Sequence, residues 1–427
     1  MGKAEQHPEI LIDPDERWWV SRTNRLEPVQ RGTQLPHRVH LRDCTIREGE
    51  EMAGVFLTVD QKLELARAAQ GVGIDEIEVG YCGSIREHEE LASLFRREGI
   101  TVSLSSLNRS YIRDGEWQAE VDRALKAGVN IIYFIAFCND DLLTSVPWLP
   151  KRDVPARIEA CMRYAKEAGV EVMYTLAGAS RTEPQWVAEC ARAAAAGGAD
   201  VIGVADSMGC ALPEAVEYLV RLTRDAVGPG PRIAFHGHNT FGLATANGLA
   251  AVRAGAELVD AVPLGLGEGA GIAPLEEIAF ALEVLYGVDT GLDLTKVADF
   301  ARLTQKIFGV APMPTKTVIG SALYSHSIDS HIASILRGKW YSWECINPRV
   351  VGQERRLEFG YAKIRRGRSG AIGAKIDQLG YEASDAQVDR IIDSVSEIAA
   401  RDRWATEQDV DNVIRRELSG NGDRATR

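Results

Sequence analysis

Residues 71–81, "GVGIDEIEVGY", place a glycine just before a short apolar run, and this order of residues decides the fold. Glycine commonly follows the last turn of a helix, and a short continuous apolar run is typical of a strand buried on both faces. The same order recurs in the segments 126–137, 167–178, 196–206 and 253–265. Each segment is therefore predicted to lead from the end of a helix into a parallel strand.

Helix-start signals lie between these runs. Thr58 with Gln61 and Ser84 with Glu87 have the spacing of capping boxes, in which each side chain accepts a backbone N–H of the other residue. Pro213 stands where a first helical turn would begin. Three more apolar runs bring the predicted strands to eight: residues 37–45, 100–106 and 232–239.

Strands that alternate with helices over this length predict an α/β fold, a (β/α)8 TIM barrel with an appended, mainly helical C-terminal region. An open doubly wound sheet is the alternative. The first predicted strand, however, is followed by "CTIREGEE" (44–51) and not by the glycine motif of dinucleotide-binding folds. The predicted divisions of the chain are an N-terminal arm (1–36), the barrel (37–290), helical C-terminal subdomains (291–417) and a disordered tail (418–427).

Composition and charge exclude several classes of protein. The 427 residues are 45% hydrophobic, as in an ordinary globular protein, and no apolar run has the length of a membrane span. A formal charge of −12 argues against binding to nucleic acid or to anionic membranes. The polar start of the chain contains no secretory core, so a cytoplasmic location is expected. The seven cysteines form no C-x-x-C pair and are expected to be reduced and mostly buried.

Polar residues follow most of the predicted strands. In a TIM barrel the carboxyl ends of all strands meet at one mouth, where active sites lie. A carboxylate buried on a strand, such as Glu78, needs a partner, and Arg47 is the expected one. The polar residues predicted at this mouth are Asp43, Arg47, Glu48, Glu78, Ser207, His236, His238, Asn239 and Glu268.

The motif "FHGHNTFG" (235–242) places His236 and His238 one residue apart at the end of a predicted strand. Alternate residues of a strand point to the same face, so both imidazoles would enter one space. Two histidines in this spacing are, by themselves, more often structural than a metal site. With a carboxylate nearby they form a ligand set that suits Zn, Mn, Fe, Co or Mg, and Glu48 is the expected third ligand.

Five segments occur in an order that resembles a known superfamily. They are "RDCTIREGEE", "IEVGY", "ADSMGCALP", "HGHNTFGLATANGLAAVRAGA" and "GLGEGAGIAPLEE". The first is similar to D-x-T-L-R-[DE]-G-E-Q, the strand-1 signature of the DRE-TIM metallolyases. That superfamily includes homocitrate, 2-isopropylmalate, citramalate and re-citrate synthases and hydroxymethylglutaryl-CoA lyase. The resemblance covers residues 40–290, and its motifs are nearest to those of homocitrate and re-citrate synthases.

The resemblance implies an acyltransferase that converts its acyl group to an alkyl group on transfer. Acetyl-CoA would lose a methyl proton, and its enolate would attack a metal-bound 2-oxo acid in a Claisen condensation. Hydrolysis of the thioester would then give a 2-substituted malate and CoA. Arg47 would stabilise the oxyanion, Glu78 would orient Arg47, and Ser207 would contact the substrate carboxylate. The implied ligands of the divalent metal, which would be Mn, Mg, Zn or Co, are Glu48, His236 and His238.

The segment "YSHSIDSHIASIL" (324–336) resembles the synthase motif F-x-H-x-x-G-I-H-x-x-x-I-L. The resemblance implies that His331 is a catalytic histidine, and that the C-terminal region of one subunit completes the site of its partner in a homodimer. His326 would be the other histidine of the family segment. The alternative is that both are structural residues of a helix.

Several positions depart from the family pattern. Glu51 replaces the usual glutamine, Gly269 replaces an arginine and Trp343 replaces a tyrosine. Thr144, in "DDLLTS" (140–145), occupies the place of the arginine that reads the distal carboxylate of 2-oxoglutarate in homocitrate synthases. A hydroxyl cannot replace a bidentate guanidinium. Oxaloacetate, phosphonopyruvate or phosphinopyruvate is therefore a better candidate acceptor than 2-oxoglutarate, and the sequence does not choose among them.

Two other functions are compatible with these motifs. One is a metal-dependent C–C lyase or aldolase of the hydroxymethylglutaryl-CoA lyase type. The other is a metal-binding protein that has lost its chemistry. The segment "GLGEGAGIAP" (265–274) lacks the cysteine loop of the lyases, and the histidine segment near the C-terminus favours a synthase.

Overall fold

The computed structural model describes residues 15–360 and 364–419. The chain divides into two compact units. One unit spans Asn24–Ala311, and the other combines the residues up to Thr23 with those from Pro312 onwards. The barrel limits predicted from the sequence, 37 and 290, both lie inside the first unit.

The first unit contains a closed barrel of eight parallel strands in the order β1 to β8. Closure is direct, because β1 pairs with both β2 and β8. The predicted TIM barrel is confirmed, and the alternative of an open doubly wound sheet is wrong. The strands are β1 (His40–Asp43), β2 (Glu76–Gly80), β3 (Ser103–Arg109), β4 (Ile131–Phe137), β5 (Glu171–Ala177), β6 (Val201–Asp206), β7 (Arg232–Gly237) and β8 (Leu258–Ala261).

Helices follow the strands in the barrel unit. The last of them packs against α2, which explains why this unit continues past the eighth strand. The penultimate helix, α10, continues as a π-helical stretch over Ala281–Tyr286. The helices are α1 (Glu27–Gln30), α2 (Val59–Val72), α3 (Arg86–Arg97), α4 (Glu116–Ala127), α5 (Asp140–Leu143), α6 (Val154–Glu167), α7 (Pro184–Ala196), α8 (Pro213–Val227), α9 (Ala244–Arg253), α10 (Leu275–Phe280) and α11 (Leu294–Phe308).

The predicted helix starts have mixed outcomes. Thr58 caps α2, with both hydrogen bonds of the capping box to Gln61 present, and Pro213 begins α8. The capping box predicted at Ser84 is wrong, because α3 begins at Arg86 after Ile85 and has no side-chain cap. The carboxylate of Glu87, which the box would have used, instead accepts a hydrogen bond from Lys62 Nζ at 2.8 Å.

The second unit is mainly helical, as predicted, but it also contains a three-stranded sheet that the sequence did not reveal. Two of its strands have three residues or fewer, too short to show a periodic pattern. Buried aliphatic and aromatic residues form its core. The elements are β9 (Ser325–His326), α12 (Asp329–Leu336), β10 (Arg356–Gly360), α13 (Ala371–Gln378), α14 (Asp385–Asp402), β11 (Trp404–Thr406) and α15 (Glu407–Ser419).

The two ends of the chain are described only in part. Of the predicted arm, residues 1–14 lie outside the described residues, and Trp18 forms an isolated β-bridge with Ile346. Of the predicted tail, residues 420–427 lie outside them, while Leu418 and Ser419 belong to α15. Among the described residues, no helix combines the length and the apolar character needed to cross a bilayer. All seven cysteines are free, and five are buried.

The Thr58 cap can be tested against the Ser84 position, which lacks one. Thr58→Ala is expected to lower the free energy of unfolding by about 1 kcal/mol, because the backbone N–H of Gln61 loses its acceptor at the start of α2. Hydrogen exchange of the amides in residues 58–65 should become faster. Ser84→Ala should leave exchange at the start of α3 unchanged, and equal effects of the two substitutions would contradict the assignment.

Candidate active site

Strand β7 brings the two histidines of the 235–242 motif to the barrel mouth. His236 lies in β7, and His238 lies just beyond its end, where it forms an isolated bridge with Ile272. Because the two residues alternate along an extended chain, their rings enter the same space. Their Nε2 atoms are 3.3 Å apart.

Glu48 approaches the histidines from the turn after β1. Its backbone N–H donates to the Cys44 carbonyl at 2.8 Å, which closes that turn. Its Oε1 accepts from the Glu268 backbone N–H at 3.1 Å, and its side chain is almost fully buried. One ligand atom from each of Glu48, His236 and His238 lies within 4.8 Å of the others. The structure therefore brings the three predicted metal ligands together.

The donor set fits a divalent metal ion. Two nitrogen ligands bound to one ion at the usual Zn–N length lie about 3.0–3.4 Å apart at octahedral or tetrahedral angles. The observed 3.3 Å between the two Nε2 atoms agrees with that range. His236 Nδ1 is 2.9 Å from Asp260 Oδ2, and since a carboxylate only accepts, Nδ1 carries the proton. The Nε2 atom of neutral His236 thus presents its lone pair to the cluster.

The surroundings of the cluster favour the metal-binding forms of Glu48 and His238. Burial disfavours the Glu48 carboxylate, but Arg47 and the two histidines outweigh this and lower its pKa. Burial, together with the neighbouring His236, lowers the pKa of His238 to about 4, so His238 is neutral. Burial also opposes protonation of His236, but its hydrogen bond to Asp260 raises the pKa of that ring overall.

Arg47 is the buried cation beside this cluster. Its Nε and Nη2 donate to the two oxygens of Glu78 at 2.9 Å each, so the predicted pair is confirmed. Its Nη1 donates to Glu48 at 2.6 Å and to Glu51 at 3.2 Å. These bonds use four of its five N–H groups, and the fifth, on Nη2, has no observed acceptor among the described residues.

The loop after β8 supports Glu48 from the other side. Gly271 adopts a φ of +73°, and a Cβ on it would lie 1.7 Å from the Gly265 carbonyl oxygen. A Cβ on Gly267 would lie 2.8 Å from Glu48 Oε1. These glycines allow the loop to fold closely enough for the Glu268 N–H to reach the Glu48 carboxylate.

Other residues predicted at the mouth hold loops in place. Asp43 Oδ1 accepts from the Thr45 backbone at 3.1 Å, and burial raises the pKa of Asp43 to about 7. Asn239 Oδ1 accepts from the Ala244 backbone N–H at 3.1 Å, at the start of α9. Their observed contacts stabilise the turns that follow β1 and β7.

Ser207 lies directly after β6, the strand that pairs with β7. Its Oγ accepts from the Gly178 backbone N–H at 3.0 Å, which leaves its own O–H available to donate. The adjacent Asp206 accepts from the backbone N–H groups of Cys210 and Ala211, at 3.1 and 3.0 Å. The loop that carries Ser207 is therefore fixed by a side chain that the sequence did not single out.

Two further predicted residues, Thr144 and His331, lie in different units. Thr144 is exposed and follows α5, in the segment after β4, at the carboxyl end of that strand. His331 lies on α12 of the second unit, where its ring stacks on Trp343 with centroids 3.6 Å apart. His326 is buried in the same unit, and its Nε2 is 2.8 Å from Glu344.

Arg42 and Asp260 were missed from the sequence, although a signal was present. Each is a charged residue inside an apolar strand run, at "HLRDC" and "ELVDAV". The rule that a buried charge needs a partner, which linked Glu78 to Arg47, applies equally to these two. In the structure they form a bidentate pair in the barrel interior, at 2.9 and 2.7 Å.

In a comparison with family models, residues 38–304 match the family described as HMGL-like. The chain belongs to the HMGL-like family. The matched residues include all eight barrel strands and the cluster of Glu48, His236 and His238. The match ends before α12, which carries His331.

Several curated relatives of this HMGL-like chain are named as synthases. Homocitrate synthase AksA of Methanopyrus kandleri is 31% identical over 92% of this chain and 96% of its own length. A probable 2-isopropylmalate synthase of Ignicoccus hospitalis is 30% identical over 90% of this chain and 93% of its own. A putative (R)-citramalate synthase of Archaeoglobus fulgidus is 31% identical over 88% of this chain and 75% of its own.

Solved structures of other proteins share the barrel fold of this chain. HMG-CoA lyase of Bacillus subtilis superposes with a TM-score of 0.58 at 20% identity, over 66% of this chain and 98% of that one. The carboxyl transferase domain of Rhizobium etli pyruvate carboxylase gives 0.52 at 17% identity, over 93% of this chain and 64% of that one. At these identities the likeness concerns the fold alone.

The loop after β8 yields a paired test. Gly271 and Gly269 both have positive φ, so alanine is strained at either position, but only at Gly271 does the new Cβ meet backbone. Gly271→Ala should lower the thermal midpoint by at least about 3 °C more than Gly269→Ala, as measured by circular dichroism. Equal shifts would contradict the close approach of Gly271 to Gly265.

Proposed function

We propose that the protein is an acetyl-CoA-dependent synthase that condenses the acetyl methyl carbon with the ketone carbon of a 2-oxo acid. The products are a 2-substituted malate and free CoA. The observation that carries this proposal is the convergence of Glu48, His236 and His238 within 4.8 Å, beside the buried Arg47, at the mouth of the barrel. This arrangement matches what the chemistry needs, a chelating site next to a fixed positive charge.

Glu48, His236 and His238 would hold a divalent metal ion such as Mn, Mg, Zn or Co. When bound, the metal acts as a Lewis acid on the ketone and aligns the carboxylate of the 2-oxo acid. The residues supply the rest. The remaining N–H of Arg47 is the donor for the negative charge that develops on the ketone oxygen, and the two bonds from Glu78 fix the plane of the guanidinium. The Ser207 hydroxyl is the proposed donor to the substrate carboxylate.

His331 is the proposed base that removes the methyl proton of acetyl-CoA. Burial and the nearby His326 lower its pKa, so its ring is neutral and able to accept a proton. Trp343 stacks on the ring with centroids 3.6 Å apart, at the position where the family resemblance implies a tyrosine. The adjacent Glu344 binds both His326 and Arg355, at 2.8 and 2.6 Å. Residues 343 and 344 thus contact both histidines. The Trp343 indole has no hydroxyl, so it cannot relay a proton as the tyrosine implied by the family resemblance could.

The proposed reaction consists of a proton transfer, the formation of a C–C bond and the hydrolysis of a thioester. The methyl C–H bond breaks, and its proton passes to His331 Nδ1 or Nε2. The resulting enolate carbon forms a bond to the ketone carbon, whose oxygen gains the electron pair and then a proton. Water attacks the thioester carbonyl, the C–S bond breaks, and CoA leaves as the thiol.

We extend the proposal to a homodimer in which the C-terminal region of one subunit supplies His331 to its partner.

The synthase proposal is favoured over a lyase. Relatives at 30–31% identity that cover most of this chain are named as synthases, whereas the HMG-CoA lyase structures are similar at about 20% identity and indicate the fold alone. A metal-dependent C–C lyase would run the reaction in the cleaving direction and would not release CoA from acetyl-CoA.

The acceptor acid depends on positions outside the cluster. Thr144 is exposed, and its hydroxyl cannot bind a distal carboxylate as a guanidinium does. We therefore propose oxaloacetate, phosphonopyruvate or phosphinopyruvate in preference to 2-oxoglutarate. Release of CoA thiol with each of these acids would identify the substrate.

Removal of the metal should abolish activity. Dialysis against a chelator should stop release of CoA thiol, and added Mn²⁺ should restore it. Glu48→Ala and His238→Ala should lower Mn²⁺ occupancy in equilibrium dialysis, because each removes one ligand atom. His37→Ala, which changes an exposed histidine outside the cluster, is the control. Full occupancy in both ligand variants would refute the site, and absence of CoA release with every 2-oxo acid would refute the synthase.

His331→Ala should separate chemistry from metal binding. The rate of CoA release should fall by about 10²- to 10⁴-fold, the usual contribution of a positioned base. Occupancy by Mn²⁺ should stay at the wild-type level, since His331 is not among the proposed ligands. A rate within threefold of the wild type, with a normal thermal midpoint, would exclude His331 as the base.

A further inference from the structure

Arg42 is a guanidinium enclosed in the barrel interior. It is fully buried on β1, and its Nε and Nη2 donate to the two oxygens of Asp260 at 2.9 and 2.7 Å. Its Nη1 contacts Met173 Sδ at 3.0 Å, and the guanidinium carbon lies 4.4 Å from the centre of the Tyr133 ring. Its Nη1 also lies 3.5 Å from Glu76 Oε1 on β2, so side chains from β2, β4, β5 and β8 surround Arg42.

Asp260 joins Arg42 to the proposed metal site. Its Oδ2 accepts both from Arg42 Nη2, at 2.7 Å, and from His236 Nδ1, at 2.9 Å. Burial disfavours the Asp260 carboxylate, but Arg42 and His236 hold the pKa of Asp260 well below its usual value. Asp260 Oδ2 thus accepts hydrogen bonds from both the Arg42 guanidinium and the His236 imidazole.

A contribution to stability does not by itself explain why the ion pair of Arg42 and Asp260 is buried. A buried ion pair rarely stabilises a fold more than apolar residues of the same volume, because both charges must be removed from water. The pair Arg232–Glu171, on β7 and β5, shows the ordinary alternative, since both side chains are about one-third exposed. Full burial of Arg42 and Asp260 therefore indicates a role that an apolar pair could not fill.

We infer that Arg42 is a positioning residue that acts on His236 through Asp260. The two parallel bonds of the guanidinium fix the plane of the Asp260 carboxylate, and that plane fixes the direction in which Oδ2 meets His236 Nδ1. The direction of Nδ1–H in turn sets where Nε2 points. The inference rests on the proposed function, because it takes His236 as a metal ligand.

Metal binding in a double-mutant cycle tests the inference. The variants are Arg42→Gln, Asp260→Asn and the combination of both, and the probe is Mn²⁺ followed by electron paramagnetic resonance. Asp260→Asn should weaken binding by about 10- to 100-fold, and Arg42→Gln by about tenfold, the usual range for groups that orient ligands. The double variant should bind no more weakly than Asp260→Asn alone, since Arg42 acts through Asp260.

Controls separate positioning from loss of structure. Arg232→Gln removes an arginine on β7, the strand that also carries His236, without touching Asp260, and it should leave Mn²⁺ affinity within twofold. Arg42→Lys keeps the positive charge but cannot form two parallel hydrogen bonds to the Asp260 carboxylate, and it should give an intermediate Mn²⁺ affinity. The visible spectrum of the Co²⁺-loaded Arg42→Gln protein should shift, because the ligand field at His236 changes.

The outcomes are distinguishable. If the wild type binds Mn²⁺ but Arg42→Gln binds it as well as Arg232→Gln does, Arg42 has no positioning role while the proposed function stands. If the effects of Arg42→Gln and Asp260→Asn add fully in the double variant, Arg42 does not act through Asp260. If the wild type binds no Mn²⁺, both the proposed function and this inference fail.

Discussion

Closure of the eight strands imposes the constraint on which the rest of the structure depends. Inside a closed barrel a charged side chain cannot turn to solvent, so it must find its partner among the other inward side chains. Glu78 finds Arg47 near the mouth, and Asp260 finds Arg42 below it. Arg42 and Asp260 join β1 to β8, and Arg47 joins the turn after β1 to Glu78 on β2, so these pairs also fix neighbouring parts of the barrel relative to one another. The polar interior therefore defines the geometry of the candidate site.

The same constraint gives the site an unbalanced charge. In the described part of the barrel interior and mouth, the carboxylates outnumber the guanidinium groups, since Arg47 alone contacts three of them: Glu48, Glu51 and Glu78. A divalent cation at the Glu48 cluster would offset part of this excess. Glu51, at the position where the family motif has glutamine, adds one of those negative charges. The site is thus better matched to a bound cation than to an empty cavity.

The sequence revealed the parts of the structure that depend on local patterns. Glycines that end helices just before apolar runs predicted the strands. The alternation of side chains along a strand predicted that His236 and His238 share a face. It failed where the outcome depends on partners distant in the chain. The capping box at Ser84 was replaced by an ion pair of Glu87 with Lys62, from another helix. Arg42 and Asp260 are 218 residues apart, and only closure of the barrel brings them together.

The division between barrel and loops also explains why the acceptor acid is harder to derive than the metal site. Inward residues such as Glu78 and Asp260 are constrained by burial, so a substitution there would leave a partner unpaired. Thr144 is exposed after α5, so burial does not limit which side chain stands there. Under the proposed function, recognition of the distal group of the acceptor acid can therefore change while the barrel interior stays the same. In the proposed synthase, substrate identity would be set at exposed positions such as Thr144, where burial no longer limits the side chain.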